Sequence, residues 1–344
     1  MMNRKITLLL TLTAVALLLA GCGGAPDDTA AAGPPTAEIK AMFGSMPREM
    51  TSPDNPITPE KVALGRMLYY DDRMSKSGDI SCNSCHVLDK YGVDGLATSP
   101  GHDGTLGARN SPTVYNAALQ FVQFWDGREP TVEAQALGPI LNPVEHGMPD
   151  GAAVETILRG IPEYAPLFAA AFPGEEQPIT FQNVGQAIGA FERKLVTRGN
   201  WDRWLMGDGS ALTVQEKRGL DAFIQTGCTT CHMGPDVGGS LYQKLGLLKP
   251  YDTADLGRYD VTHQDQDKFF FKVPLLRNVA ETGPYLHDGS IETLEETVRI
   301  MADYQLGKTL TDQQVADMVA FMKALTGKID EEYIAKPALP GYES

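Results

Sequence analysis

Cysteine is scarce in this chain, with five in 344 residues. Four stand in two close pairs and the fifth is Cys22, so no disulfide framework is left to hold a small fold together. Positive charge is short as well: 29 Lys+Arg face 44 Asp+Glu, a formal net charge of −15. That balance argues against nucleic acid or an anionic membrane surface as a partner. Strand signals are few, with Phe269 to Val273 the only modest candidate. Long apolar runs are missing after the N-terminus, where Ile6 to Ala20 is too short and too poorly flanked for an ordinary membrane span.

The paired cysteines are the most informative residues. They form two C-x-x-C-H strings, Cys82-Asn83-Ser84-Cys85-His86 and Cys228-Thr229-Thr230-Cys231-His232. This spacing lets two thiols add across the vinyl groups of one haem while the adjacent histidine takes the proximal iron position. A disulfide, a redox C-x-x-C or half a zinc site would each explain the cysteines. None explains a histidine directly after both pairs, and no further cysteines exist to complete zinc ribbons. The strings therefore imply two covalent c-type haems, bound by Cys82, Cys85, Cys228 and Cys231 over His86 and His232. The histidines lie 146 residues apart, which implies one haem per domain.

Arg4 and Lys5 precede the apolar stretch, and Leu19-Ala20-Gly21-Cys22 follows it. Residues 1–21 thus read as a lipoprotein signal peptide with Cys22 as the lipidated residue, against the plainer reading of a secretory signal with a stray cysteine. Either expectation means export, to the periplasm, with a lipid as the only membrane attachment. Residues 22–37, small, polar and proline-rich, read as a flexible tether. The remaining ~300 residues suffice for two domains, placed at 38–198 and 199–344. Without residues 1–21 the balance is 27 basic to 44 acidic residues, a formal −17 before haem propionates are counted. Such a body permits a basic redox donor.

Helical patterns surround both haem strings. Glu133 to Leu137, Ala152 to Arg159 and Phe181 to Leu195 repeat apolar residues every three to four positions. Thr213-Val-Gln-Glu216 has capping-box spacing and opens a helix into Cys228. Thr293 leads a helix through Met301, and Thr311-Asp312 leads another through Leu325, closed by Gly327. Residues 92–107, with five glycines around His102, and residues 234–260 are long irregular loops. Loops of that length wrap something, and haem is the candidate. The expected fold is mainly α, with two cytochrome c-like domains and haem-wrapping loops.

From about residue 40 to 335 the chain resembles the bacterial dihaem cytochrome c peroxidases. The resemblance rests on the two haem strings, Phe124-Trp125-Asp126-Gly127-Arg128, Asn142-Pro143-Val144-Glu145, Thr282-Gly283-Pro284-Tyr285-Leu286-His287-Asp288-Gly289, and Arg299-Ile300-Met301 with Gln305-Leu306-Gly307. It implies a low-potential peroxidatic haem on His86, with His102, sixteen residues later, as a distal ligand on a mobile loop. Two imidazoles would shut peroxide out, so this site must open before turnover. Glu145 is implied as acid–base catalyst and Gln135 as a peroxide-orienting side chain. His146 stands where an apolar residue is expected, and an imidazole there would perturb the Glu145 pKa.

The second haem, on His232, is implied to be the high-potential entry site with Met301 as sixth ligand, since a thioether favours ferrous iron. Trp125 is placed between the haems. Asn110, Thr282 and Pro284 match a calcium site built from one side-chain and two backbone carbonyls. The partners implied are hydrogen peroxide, a small cytochrome c or cupredoxin donor and a second copy of the chain. Two alternatives stand beside the peroxidase. One is the related dihaem oxidase that matures a tryptophan-derived cofactor, which uses a tyrosine ligand at the second haem and lacks the distal histidine. The other is a non-catalytic electron carrier, which gives no reason for Glu145 and Gln135.

Overall fold

The computed structural model describes residues 33–342. The signal peptide, Cys22 and the first part of the tether lie outside the described residues. Among those described, helices dominate and strands are confined to two antiparallel pairs, Arg198–Gly199 with Gly327–Lys328 and Tyr242–Lys244 with Phe270–Lys272. The strand candidate at Phe269 to Val273 is thus present, shortened by a residue at each end.

Threonine starts most of the longer helices. Thr58, Thr131, Thr180, Thr213, Thr293 and Thr311 each accept a hydrogen bond from a backbone N–H in the first turn, and Thr213 and Thr311 form full capping boxes with Glu216 and Gln314. Each cap satisfies one of the four orphan donors of a helix start. The Val214–Thr226 helix stops at Gly227, whose left-handed φ of 96° turns the chain so that Cys228 follows at once. The Phe181 helix ends at Glu192, short of Leu195, with Arg193 as its C-cap, its N–H still bonded to the Gly189 carbonyl and its guanidinium paired with Glu133.

Two apolar cores form. The first gathers the Pro59–Tyr70, Val132–Leu141, Gly151–Arg159, Tyr164–Ala171 and Phe181–Glu192 helices around Leu64, Leu68, Phe168, Ile188 and Phe191. The second gathers the Val214–Thr226, Leu294–Ile300 and Asp312–Ala324 helices with Trp201, Trp204, Phe223 and Phe321. The chain ends cross over. Phe43, from the Ala37–Phe43 helix, packs in the second core edge-on to Trp201 at 5.1 Å. Ile334 and Tyr333 pack in the first, where Tyr333 stacks on Phe191 at 5.2 Å. Residues assigned to one side of position 198 thus complete the core on the other.

The two halves repeat each other at a spacing of 162 positions. Asn116 and Asn278 both take left-handed backbone (φ 61° and 62°), as do Phe124 and Leu286 (65° and 69°) and Gly127 and Gly289 (69° and 62°). The 3-10 turns Ala117–Leu119 and Val279–Glu281 correspond, as do the bridges Gln123–Glu129 and Tyr285–Ile291 and the caps Thr131 and Thr293. The two asparagines converge on one linker residue: Asn116 Nδ2 and Asn278 Nδ2 each donate to Thr197 Oγ1 at 3.0 Å, all three residues being fully buried.

One helix crossing in each half brings backbones into contact. The Pro59–Tyr70 helix crosses Phe181–Glu192 at Gly65, and Val214–Thr226 crosses Asp312–Ala324 at Gly219. A methyl group at Gly219 would overlap the Asp317 carbonyl oxygen, and one at Gly65 the Ala187 carbonyl oxygen. Gly219→Ala is therefore expected to force the helices apart at a cost of about 1–3 kcal/mol. The haem-loaded variant should show a lower thermal midpoint by far-UV circular dichroism; an unchanged midpoint would refute the close crossing.

Candidate functional site

Each haem string opens onto a cavity. The first, of about 860 Å³, is lined by Cys82, Cys85 and His86 and, from other elements, by Gln135, Pro139, Asn142, Glu145, Arg128 and Glu192. The second, of about 210 Å³, is lined by Cys228, Cys231, His232 and Met301, with an apolar wall from Val273 to Leu276. All four cysteines are free thiols. The Cys82–Cys85 turn is held at its start by Ser81 and Ser84, and the His86 carbonyl accepts from Tyr69 Oη at 2.8 Å. Burial lowers the pKa of His86 and brings His232 to about 4, so both imidazoles are neutral and able to ligate iron. His232 Nδ1 faces the Val237 carbonyl at 3.3 Å, which leaves its other ring nitrogen as the ligating atom. Two thiols and a neutral imidazole on the floor of each cavity fit a covalent haem.

Glu145 sits on the turn after the Val132–Leu141 helix. Its Oε1 accepts from Asn142 Nδ2 at 2.7 Å. Burial raises its pKa, opposed by the Arg128 charge and the Asn142 bond. His146 lines the same cavity, with Nδ1 against the Met74 carbonyl at 3.1 Å, and burial lowers its pKa, so it stands beside Glu145 as a neutral ring. Gln135 faces the same cavity from the middle of the helix.

His102 is not in the cavity wall. Its backbone N–H donates to the Glu145 carbonyl at 2.8 Å, and its Nε2 lies 3.2 Å from the Pro143 carbonyl. Neighbouring residues of its loop, Pro100, Gly101, Leu106 and Gly107, do line the cavity. The structure thus brings Glu145 and Gln135 together above the first haem string and leaves the His102 ring at the rim.

Met301 lines the second cavity where the Leu294–Ile300 helix widens into a π turn, Met301–Gln305, a feature often found at functional positions. Tyr304, one turn on, packs against Tyr251 and under Lys249 instead. Trp125 belongs to the lining of both cavities, and its Nε1 donates to the Asn110 carbonyl at 2.9 Å. Asn110, Thr282 and Pro284 meet at the second cavity. Asn110 Nδ2 is taken up by the Leu96 and Ala97 carbonyls, which leaves Oδ1 for a cation. Among the described residues no cluster of three or more His, Cys, Asp or Glu forms, so any calcium here would be held by neutral oxygens.

Several contacts at the site carried no sequence signal. Arg109 forks onto Asp255 at 2.6 and 2.7 Å and reaches Asp126 at 2.5 Å, clamping the 250–260 loop onto the Trp125 string at the mouth of the first cavity. Arg128 lies 3.4 Å from the centre of the Phe124 ring. Glu192 lines the first cavity, where burial and the Glu133 charge lift its pKa to about 8. The Arg109–Asp255 and Glu192–Glu133 pairs join residues far apart in the chain, which periodicity does not report. The repeat was readable in principle, since Pro-x-x-x-Asn and Asp-Gly recur at the shared spacing.

Comparison with known proteins agrees with this picture. The family described as di-haem cytochrome c peroxidase matches residues 59–210, and the cytochrome c family matches residues 216–326. The chain is 43% identical to cytochrome c551 peroxidase of Nitrosomonas europaea, over 88% of this chain and 92% of that one. It is 42% identical to cytochrome c551 peroxidase of Pseudomonas aeruginosa, over 88% and 89%. The solved structure of a MauG-like protein associated with microbial copper homeostasis superposes with a TM-score of 0.77 at 29% identity, covering 86% of this chain and 97% of that one.

The cavity floors give a direct expectation. The intact protein should retain two haems per chain after acid–acetone extraction. Cys85→Ser and Cys231→Ser should each impair attachment of one, counted by the pyridine haemochrome spectrum. Recovery of a single covalent haem from the unaltered chain would refute two loaded cavities.

Proposed function

Because the chain belongs to the di-haem cytochrome c peroxidase family and carries two haem c groups, we propose that it reduces hydrogen peroxide at the first cavity with electrons entering at the second. Haem, when bound, supplies the iron centres that exchange electrons and at which peroxide is reduced. His86 and His232 would hold those irons, and Met301 would supply a thioether ligand to the second. Trp125, common to both cavities, lies on the electron path.

Glu145 is the observation that carries this reading. Its carboxyl faces the first cavity, burial raises its pKa, and Asn142 fixes one oxygen. Such a group can take a proton from one peroxide oxygen and return it to the departing one. Gln135 offers an amide to orient peroxide, and Arg128 a positive charge at the wall. An electron carrier would need none of these. The cofactor-maturing relative would need a tyrosine at the second site, whereas Met301 faces that cavity and Tyr304 does not.

His102 acts in this reading as a removable ligand. With its ring against Pro143, the first cavity is accessible, and swinging the loop inward would close it. Asn110, Thr282 and Pro284 hold calcium and stiffen the join. The donor is a small cytochrome c or cupredoxin that docks near the second cavity, where Met233, Leu247 and Leu248 are exposed apolar residues. Exposed Leu106 and Phe121 supply apolar surface for a homodimer. Export to the periplasm and lipidation at Cys22 complete the proposal; no described helix is long and apolar enough to cross a membrane.

Glu145→Gln should slow peroxide turnover by roughly 10²-fold while leaving both haem spectra nearly unchanged. Turnover within a few-fold of the parent would remove Glu145 from the mechanism.

The gate has its own test. A methyl at Gly101 would overlap the Val144 carbonyl oxygen, so Gly101→Ala should expel the loop from the position that keeps His102 outside. Peroxide reaction in stopped flow should slow by roughly ten-fold, the equivalent of ~1.4 kcal/mol, with a larger low-spin fraction at the first haem. Parental kinetics and spin state would mean that this loop position does not govern access.

A further inference from the structure

Lys272 is a buried cation that the proposed mechanism does not use. It is 5% exposed and lies in the wall that the two cavities share, together with Gln120 and Trp125. Its backbone N–H donates to the Trp125 carbonyl at 2.8 Å. The repeat-related residue is Asn110, whose N–H donates to the His287 carbonyl at 2.7 Å. The two positions are thus equivalent in the fold, but one carries a neutral amide and the other an ammonium.

That ammonium is under-partnered. Nζ bonds the Gln120 side-chain oxygen, and among the described residues no carboxylate lies within ion-pair distance of it. The acidic groups that face it are Asp236 and Asp126. Asp126 is engaged by Arg109 and Arg128, while both Asp236 oxygens are buried without a hydrogen-bond partner. An ammonium has three protons to donate, and burial without a counter-charge is costly enough to depress the Lys272 pKa to about 7. The wall that holds it separates two cavities, each of which receives a haem with two carboxylates.

We propose that Lys272 is a haem-carboxylate site: its ammonium, steadied by Gln120, binds a propionate in the wall between the two cavities. The proposal rests on the two-haem reading above. It makes haem loading complete the charge balance of a buried lysine, and it fixes a positive charge beside Trp125. A cation there stabilises the ferrous state of the haem it binds, because reduction removes positive charge from the iron.

Lys272→Met tests this by spectroelectrochemical titration of the two-haem protein. At least one haem should show a ten-fold or greater fall in its ferrous-to-ferric ratio at fixed potential, about 59 mV for one electron. Lys272→Arg should restore most of it. Haem content measured alongside separates this question from the two-haem reading: one haem per chain in the parent would refute that reading instead. If the methionine variant fails to load, Lys272→Arg still decides. Its guanidinium should move the propionate carboxylate bands in redox-difference infrared spectra. Unchanged bands would overturn the proposal. So would unchanged potentials at both haems in Lys272→Met.

Discussion

Two crossed backbone hydrogen bonds hold the wall on which both cavities depend. Asn110 reaches from the first repeat to the His287 carbonyl of the second, and Lys272 reaches back to the Trp125 carbonyl. In a low-dielectric interior such bonds are costly to leave unmade. The same exchange places Trp125 and His287 side by side, with ring centroids 6.5 Å apart. The Asn116–Thr197–Asn278 contacts tie the linker into the join. The chain ends then cross over, so neither core is complete without residues from the far end of the sequence.

On this near-symmetric frame the chemistry is divided by a few unlike pairs. Gln135 of the first repeat corresponds to Thr297 of the second, and Pro139 to Met301, and each member lines its own cavity. Proline has no donor atom to offer iron, whereas a thioether has. With the proposed assignment, the same turn of helix leaves one iron face open to peroxide and caps the other. In the same assignment Glu145, fixed by Asn142 on the turn after that helix, would serve proton transfer on the open side only. On the proposed reading, a repeated scaffold would thereby yield one reactive site and one electron-handling site.

The parts legible in the sequence were those set by local chemistry. Threonine caps with their spacing marked helix starts at 213, 293 and 311, and the two haem strings marked the cavity floors. The 162-position repeat was harder to see because few identities are retained. Asn116 and Asn278 meet a left-handed backbone requirement, and Pro112 and Pro274 edge the cavities, while the residues between them differ. Lys272 and the Arg109 clamp were invisible for another reason: each gets its meaning from partners over a hundred positions away. The His102 ring was expected towards the iron because the resemblance says which residue is there, not which way its loop is docked.

The loop that carries His102 is not independent of the wall. Asn110 Nδ2 donates to the Leu96 and Ala97 carbonyls at 3.0 and 3.3 Å, and Gly289 of the second repeat packs against the Ala97 backbone. The far end of the loop is held by His102 N to Glu145 O, the ring contact with Pro143 and the packing of Gly101 on the Val144 carbonyl. One anchor is thus buried in the inter-repeat join and the other is weak and near solvent. Coupling between sites requires an element with two arrangements that both sites bias. In the proposed gate this loop is that element: its firm end touches the second repeat through Asn110 and Gly289, and a swing of its loose end would carry the imidazole from the rim of the first cavity to its inside. A shift of the His287–Asn110 bond on reduction would therefore act on the gate through two residues, without any change in the helices that build the cores.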